Sequence, residues 1–334
     1  MDEELKQLLE RIAGALERIA DCLTLTESGF DAGSQEKARE NAGRTAELQA
    51  AAGLGDPTEV KKFLESRGIQ IKSVKEWGEE DRVPDRIALF MGKRYNYIKN
   101  LYSRIKKALN KKNFIRMDLK DRRPEEIGSI TQLCHDLHEI AFLTKYSYDT
   151  RWKNLTAEVN LAPDVINFFT GGWLERCVRL MVIKAVKSVS NSVPISCLQN
   201  VEIKLPDGQD FELDLIFKIG DEHFWFEAKT GDYQKYIDKY SKMSDLLGLD
   251  CKHAYMVLTD IAPAGAAALC SLFKMSVVRL DDFYETFSEA ICHLSSEQAL
   301  SPDDHGGLPK DKRSGGEGDT QGKGAGLTSV EGGR

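Results

Sequence analysis

The chain has 334 residues, 41% of them apolar and 30% charged, with a net charge of −7; this is enough for one large domain or two ordinary ones. No stretch approaches the roughly 20 apolar residues that a membrane helix needs, and the acidic N-terminus lacks the basic-then-apolar pattern of a signal peptide, so a cytoplasmic protein without membrane contact is expected. Seven scattered cysteines with no CxxC pair argue against a disulfide framework, a zinc ribbon or a four-cysteine iron-sulfur cluster.

The first 25 residues place Leu5, Leu9, Ile12, Leu16, Ile19 and Leu23 at alternating spacings of four and three. This heptad seam predicts a coiled-coil helix that needs a partner, and hence a homodimer or higher homo-oligomer. Residues 26–56 mix Gly, Ser and charge and read as a linker. Residues 57–165 read as a basic, mainly helical domain. A single helical run is predicted over "PDRIALFMGKRYNYIKNLYSRIKKALNKK" and another over "RPEEIGSITQLCHDLHEIAFLTKYSY".

The overall negative charge misrepresents this middle region. Between Lys93 and Arg123 there are twelve Lys or Arg against two Asp, a local excess suited to nucleic-acid phosphates. Lys93, Arg94, Lys99, Arg104, Lys106 and Lys107 are candidate phosphate contacts, with Tyr95, Tyr97, Tyr102 and Phe114 available to stack on bases. "CHDLHE" has neither HExxH nor HxxEH spacing, so His135 and His138 read as surface or capping residues.

From residue 166 to 294 the pattern becomes α/β. "TGGWLERCVRLMVIKAVKSV" reads as a helix whose Gly171-Gly172 start packs closely on a sheet. The strands "SCLQNVEIKL", "DFELDLIF" and "EHFWFEAK" form an antiparallel meander joined by two-residue turns at Asp207-Gly208 and Gly220-Asp221. Helix, strand, helix, strand and helix follow. Residues 295–334 are polar and Gly-rich and read as a disordered tail.

A two-residue loop at Gly220-Asp221 sets Asp214 directly across from Glu227. Period-two alternation then gathers Asp214, Glu227 and Lys229 on one face, with Phe211, Leu213, Leu215, Phe217, Phe224, Phe226 and Ala228 on the other. Opposed like charges destabilise a sheet. Two hard carboxylates without a compensating partner instead suit Mg²⁺ or Mn²⁺, and Lys229 could position hydroxide and offset charge on a phosphoryl centre.

Asp214, the "EAK" of Glu227 to Lys229 on the next strand, and the preceding helix that carries Glu175 together resemble the PD-(D/E)XK, or restriction-endonuclease-like, nuclease superfamily. "GGWLERCV", "ELDLIF" and "FWFEAKTG" look closest to the nuclease domain of CRISPR accessory nucleases. The resemblance covers roughly residues 170–280. It implies a mixed sheet flanked by helices and a metal-dependent endonuclease acting on nucleic acid, DNA favoured over RNA. By association it also implies a role in defence against foreign DNA and an activating partner protein. It assigns Asp214, Glu227 and Glu175 to the metal and Lys229 to catalysis, with Gln234, Lys235, Lys239 and Lys242 on the following helix near the scissile strand. The chain departs from the pattern in having Leu213, rather than Pro, before Asp214, and no nucleotide-sensing Rossmann-like domain is read upstream. The rival reading is a catalytically inactive nucleic-acid-binding or scaffold protein that retains the fold.

Overall fold

Between Ile195 and Leu258 the apolar side chains run together as well as alternating, as in strands covered on both faces. The computed structural model describes residues 54–294 except 76, 111, 112, 232, 235, 236 and 293. The expected coiled coil, nearly all of the linker and the C-terminal tail therefore lie outside the described residues.

The elements begin with α1 (Thr58–Ser66), β1 (Gln70–Val74), α2 (Arg82–Lys93), α3 (Tyr95–Leu109), β2 (Phe114–Asp118) and α4 (Pro124–Glu139). Next come β3 (Leu143–Asp149), β4 (Asn154–Val159), α5 (Pro163–Asn167), α6 (Trp173–Val189), β5 (Ile195–Lys204) and β6 (Asp210–Ile219). The chain then continues through β7 (Glu222–Lys229), α7 (Ile237–Leu247), β8 (Ala254–Leu258), α8 (Pro263–Phe273), β9 (Ser276–Arg279) and α9 (Leu280–Ala290).

A six-stranded sheet runs in the order β1-β5-β6-β7-β8-β9. Its first four strands pair antiparallel, and β7, β8 and β9 pair parallel. The parallel pairs require crossovers, which α7 and α8 supply. One face carries a core built with α1 and α7, centred on Leu64, Trp225, Met243 and Leu247. The other packs on α2, α3, α6 and α9 and continues into a smaller antiparallel sheet, β2-β4-β3. The result is a mixed α/β fold.

Residues 57–165 are mainly but not wholly helical: they also contain β1, which joins the large sheet, and the whole small sheet. Two helical expectations change accordingly. The first run breaks at Arg94 (φ −115°, ψ 14°) into α2 and α3. The second stops at Glu139, with Ala141 left-handed at φ 59°, and its tail "LTKYSYD" becomes β3. In β2 and β4, inward and outward positions alternate strictly, the period-two signal that the helical reading passed over.

Helices α2 and α6 are joined by buried charge. Arg176 pairs with Asp85 at 2.8 Å and with Asp81, Arg179 pairs with Asp85, and Trp77 Nε1 donates to Asp85 Oδ2 at 3.0 Å. Removing one member would strand the others without partners, at a cost of about 3–5 kcal/mol. This network holds the N-terminal half of α6, and with it Glu175, against the rest of the fold.

Candidate active site

The Gly220-Asp221 turn has positive φ at Gly220 (59°) and not at Asp221, as a II′ turn requires. It sets the expected register: Ile219 faces Glu222 and Leu215 faces Phe226. The Asp207-Gly208 turn differs, because Leu205 N–H donates to Gln209 C=O, leaving a three-residue connection, Pro206 to Gly208, instead of two.

The β6–β7 ladder stops at Leu215 and Phe226, and beyond it the carboxylates replace it. Asp214 N–H donates to Glu227 Oε1 at 3.2 Å, and Ala228 N–H donates to Asp214 Oδ2 at 2.9 Å. Trp225 Nε1 also donates to Glu227 Oε1, at 3.1 Å. Each acid thus occupies the gap where a strand carbonyl would have served.

The single apolar face expected for β6 is not observed. Phe211 and Leu213 pack with Ile216 and Trp225 in one core, and Leu215, Phe217, Phe224, Phe226 and Ala228 pack in the other. The alternation slips at Asp214. It slips at the matching point of β5 as well, where Asn200 is left-handed at φ 48° and Leu198 and Val201 share a core despite odd spacing. Asn tolerates this conformation better than most residues. The paired slips turn Asp214 out of the regular pleat.

Nor are the two acids uncompensated. Lys229 Nζ donates to Asp214 Oδ2 at 2.7 Å and lies 2.9 Å from Glu227 Oε2. The second approach lacks hydrogen-bond geometry, so Glu227 Oε2 is a buried oxygen with no hydrogen-bond partner. Glu227 is fully buried and Asp214 is 5% exposed. Burial, and then the Asp214 charge, push the Glu227 carboxyl up to about 8. Burial of Lys229 works against its charge, but Glu227 and Asp214 outweigh it and raise its pKa, so the amine stays an ammonium.

Glu175 comes from the first turn of α6, after a π-helical turn at Phe168–Gly172. Such turns are frequent at functional sites. A Cβ on Gly171 would lie 3.3 Å from Glu175 Oε1, and one on Gly172 would lie 3.3 Å from Asn167 C=O. The two glycines therefore make room for the π turn and the Glu175 carboxylate; the expected packing onto the sheet is not their role. Asn200 Nδ2 donates to Glu175 Oε2 at 2.7 Å. Burial, and then Asp214, raise Glu175 to about 7.

Glu175, Asn200, Asp214 and Lys229 line a cavity of about 570 Å³ with Lys75, Lys106 and Thr170. Glu202 and Glu212, directly opposed across β5 and β6, line it too. Asn200, Trp225, Thr170 and this glutamate pair were not foreseen, because neither Asp214 nor the ExK pattern of Glu227 to Lys229 points to them. Among the described residues, no three His, Cys, Asp or Glu side chains are already arranged around a metal position. The donor set of Asp214 and Glu227, whose Oε2 has the Lys229 ion pair but no hydrogen bond, with Glu175 beside them, nonetheless has the hard-oxygen chemistry that Mg²⁺ or Mn²⁺ takes.

The basic candidates disperse. Lys99, Lys106 and Lys107 meet in a second recess. Arg94 stacks over Tyr97 at 5.8 Å, Arg104 donates to the Arg116 carbonyl, and Lys239 sits 4.3 Å over Phe211. Lys93 and Lys242 are exposed, and Lys235 lies outside the described residues. Tyr95 and Tyr102 are core residues, packed on Trp173, and are not free stacking platforms. His138 Nδ1 donates to the Leu143 carbonyl at 2.9 Å, tying α4 to β3.

No protein family and no curated protein matches the chain. Among solved structures it is similar to protein VC1899 from Vibrio cholerae, at 17% identity over 70% of this chain and 60% of that one, with a TM-score of 0.44. It is also similar to Can2 from Sulfobacillus thermosulfidooxidans, solved in complex with cyclic tetra-adenylate, at 15% identity over 71% of this chain and 62% of that one, with a TM-score of 0.48. The chain spans about three fifths of the length of each. Among the described residues no helix is long and apolar enough to cross a membrane.

Proposed function

We propose that the chain is a metal-dependent phosphodiesterase of restriction-endonuclease-like type that hydrolyses nucleic acid, with endonucleolytic cleavage of DNA favoured. One observation carries this reading: Asp214 and Glu227 are interlocked at the point where the ladder ends, with Lys229 between them and one buried Glu227 oxygen left without a hydrogen bond. A stability-driven design would not open a sheet to admit two carboxylates.

In this reading Asp214 and Glu227 hold Mg²⁺ or Mn²⁺, with Glu175 as a further ligand or as the group that orients water. When bound, such a cation polarises the phosphoryl oxygen and acidifies the attacking water. The Asp214 and Ala228 amides fix both carboxylates, so a cation that binds them has to displace the Lys229 ammonium but not rebuild the backbone around them. Lys229, held as an ammonium, stabilises the charge that accumulates on the phosphorus oxygens and is not the base. Glu175, poised near neutrality on the cavity wall, is the group suited to take a proton from water. A role in defence and an activating partner extend this proposal by association with the superfamily.

A second reading rests on the same ion pairs. Lys229 already neutralises the site, as it would in an inactive nucleic-acid-binding or scaffold protein. Incubation with linear, supercoiled and single-stranded substrates in Mg²⁺, Mn²⁺ or EDTA separates the two. Metal-dependent cleavage that disappears in Asp214→Ala and Lys229→Ala is expected. Equal inactivity of the parent and both variants under every condition would sink the nuclease reading.

A further inference from the structure

Beside the catalytic cavity lies a recess of about 550 Å³, bounded by Tyr95, Lys99, Tyr102, Lys106, Lys107 and Asp260. The two share a wall: Lys106 and Thr230 line both. We propose that this recess is the subsite for one nucleotide of an unpaired strand, next to the phosphodiester held at Asp214 and Glu227. The proposal rests on the nuclease reading and adds the strand's path and its single-stranded form.

The sequence builds the recess from one face of α3. Tyr95, Lys99, Tyr102 and Lys106 follow at spacings of four, three and four, which stack on one side of a helix. The tyrosines are 3–4% exposed and immobile: Tyr95 OH donates to Asp260 Oδ2 at 2.6 Å, and Tyr102 OH donates to the Phe169 carbonyl at 2.8 Å. They form a rigid wall with lysines at its rim.

Charge distinguishes this recess from its neighbour. Among the described residues, Lys99, Lys106 and Lys107 take part in no ion pair, and Lys106 rests on neutral partners, the Thr230 carbonyl at 3.3 Å and hydroxyl at 3.4 Å. The one carboxylate on the wall, Asp260, has Oδ2 committed to Tyr95 and Thr259. Three ammoniums thus face one carboxylate, whereas the catalytic cavity sets four carboxylates, Glu175, Glu202, Glu212 and Asp214, against Lys75, Lys106 and Lys229. An anion attracted to the lysines and a cation attracted to the acids would sit side by side. Lys106 and Thr230 line both spaces, so a strand that crosses this shared wall would place one phosphate in the recess and the next in the cleft.

A concave pocket takes a single nucleotide turned out of its stack, while paired strands need a groove or a flat face. Asp260, which lines the same space, is an acceptor available to sugar or base donors.

The test is binding of a short fluorescein-labelled single-stranded DNA, the matching RNA and a duplex, followed by anisotropy across a salt series in EDTA, where cleavage does not intervene. Each lost phosphate contact on a single strand flattens the log Kd against log salt slope by about 0.7, so Lys99→Gln/Lys106→Gln/Lys107→Gln should flatten it by about 2. Ser103→Trp, at an exposed position on the recess wall, changes no charge and should weaken single-strand binding about tenfold by filling the space. Lys145→Gln, on β3, should match the parent. The triple variant keeping the parent slope, Ser103→Trp binding like the parent, or lysine-dependent binding stronger for duplex would each overturn the proposal. Cleavage assays in parallel keep the two readings apart. Lysine-dependent binding without cleavage supports the strand site and sinks the nuclease, and cleavage with unaltered binding in the variants sinks the subsite alone.

Discussion

The backbone amide of Asp214 donates to the carboxylate of Glu227, 3.2 Å away, at a point where their register would have paired two strands through main-chain groups. The Ala228 amide returns the favour to Asp214. Main-chain donors therefore hold the site together, and the charge on the acids is balanced separately by Lys229. Structure and electrostatics can be perturbed one at a time.

Lys229→Met keeps the stem and removes the ammonium. Without cation, two buried carboxylates lose their counter-ion, and destabilisation of up to about 3–5 kcal/mol is expected, less whatever protonation recovers. Because the ammonium and a divalent cation compete for the same oxygens, Mg²⁺ should then raise Tm more in the variant than in the parent, while cleavage is lost. Thermal denaturation with and without Mg²⁺ reads both effects. An equal Mg²⁺ response in the two proteins would mean that cation and Lys229 occupy different places.

The raised carboxyls fix a direction for pH. Glu227 titrates near 8 and Glu175 near 7 in the folded chain, against 4.5 for an ordinary glutamate. A raised acid contributes stability that is complete below its unfolded value and is lost as pH rises through its folded value. The metal-free protein should therefore be most stable near pH 5 and weaken steadily toward pH 8.5, and Glu227→Gln should flatten that slope. Added Mg²⁺, which displaces protons, should stabilise more at the alkaline end. Melting curves in EDTA whose Tm holds level or rises from pH 5 to 8.5 would contradict the assignment.

Asn200 separates backbone from side chain. Asn200→Gly keeps the left-handed conformation but drops the bond to Glu175, and Asn200→Ala also incurs roughly 1–2 kcal/mol of strain. Both should lower cleavage by freeing Glu175, and only the alanine variant should lose that much stability. Urea midpoints beside cleavage rates check the split. Similar rates in Gly and parent would remove Asn200 from the positioning of Glu175.

The juxtaposition of Asp214, Glu227 and Lys229 was legible because a tight turn fixes register. Gly220-Asp221 set Asp214 across from Glu227, and period-two spacing brought Lys229 to the same place. What escaped the sequence was the slip. A strand pattern says which residues alternate but not where alternation fails, and Asn200 looks like any polar strand position until its φ is known. The small sheet escaped for a related reason. Its strands are short, and "FIRMD" and "LTKYSYD" stand next to strong helical runs whose periodicity hid theirs. Of the lysine cluster, the excess of charge was visible but its division was not, since only the fold shows that Lys99, Lys106 and Lys107 share a recess while Arg104 turns to a carbonyl.

The closeness of α2 and α6, on which Glu175 depends, rests on Gly92. A Cβ placed there would lie 2.2 Å from Cys177 Sγ but 3.7 Å from Cys177 Cβ, an ordinary contact. Intrinsic propensity favours Ala over Gly in a helix by about 1 kcal/mol, so Gly92→Ala would stabilise α2 if nothing faced it. Here the sulfur stands in the way, and overpacking should make the substitution a net loss of about 1–3 kcal/mol. Cys177→Ala alone empties a small buried volume and should cost about 1 kcal/mol. Combined, the two should relieve each other: the new methyl takes up the space the sulfur left, and the double variant should be more stable than the sum of the single effects by about 1–2 kcal/mol. Urea denaturation of the four proteins closes the cycle. Strict additivity would show that the helices can separate to admit the methyl group, and that Gly92 does not set their distance.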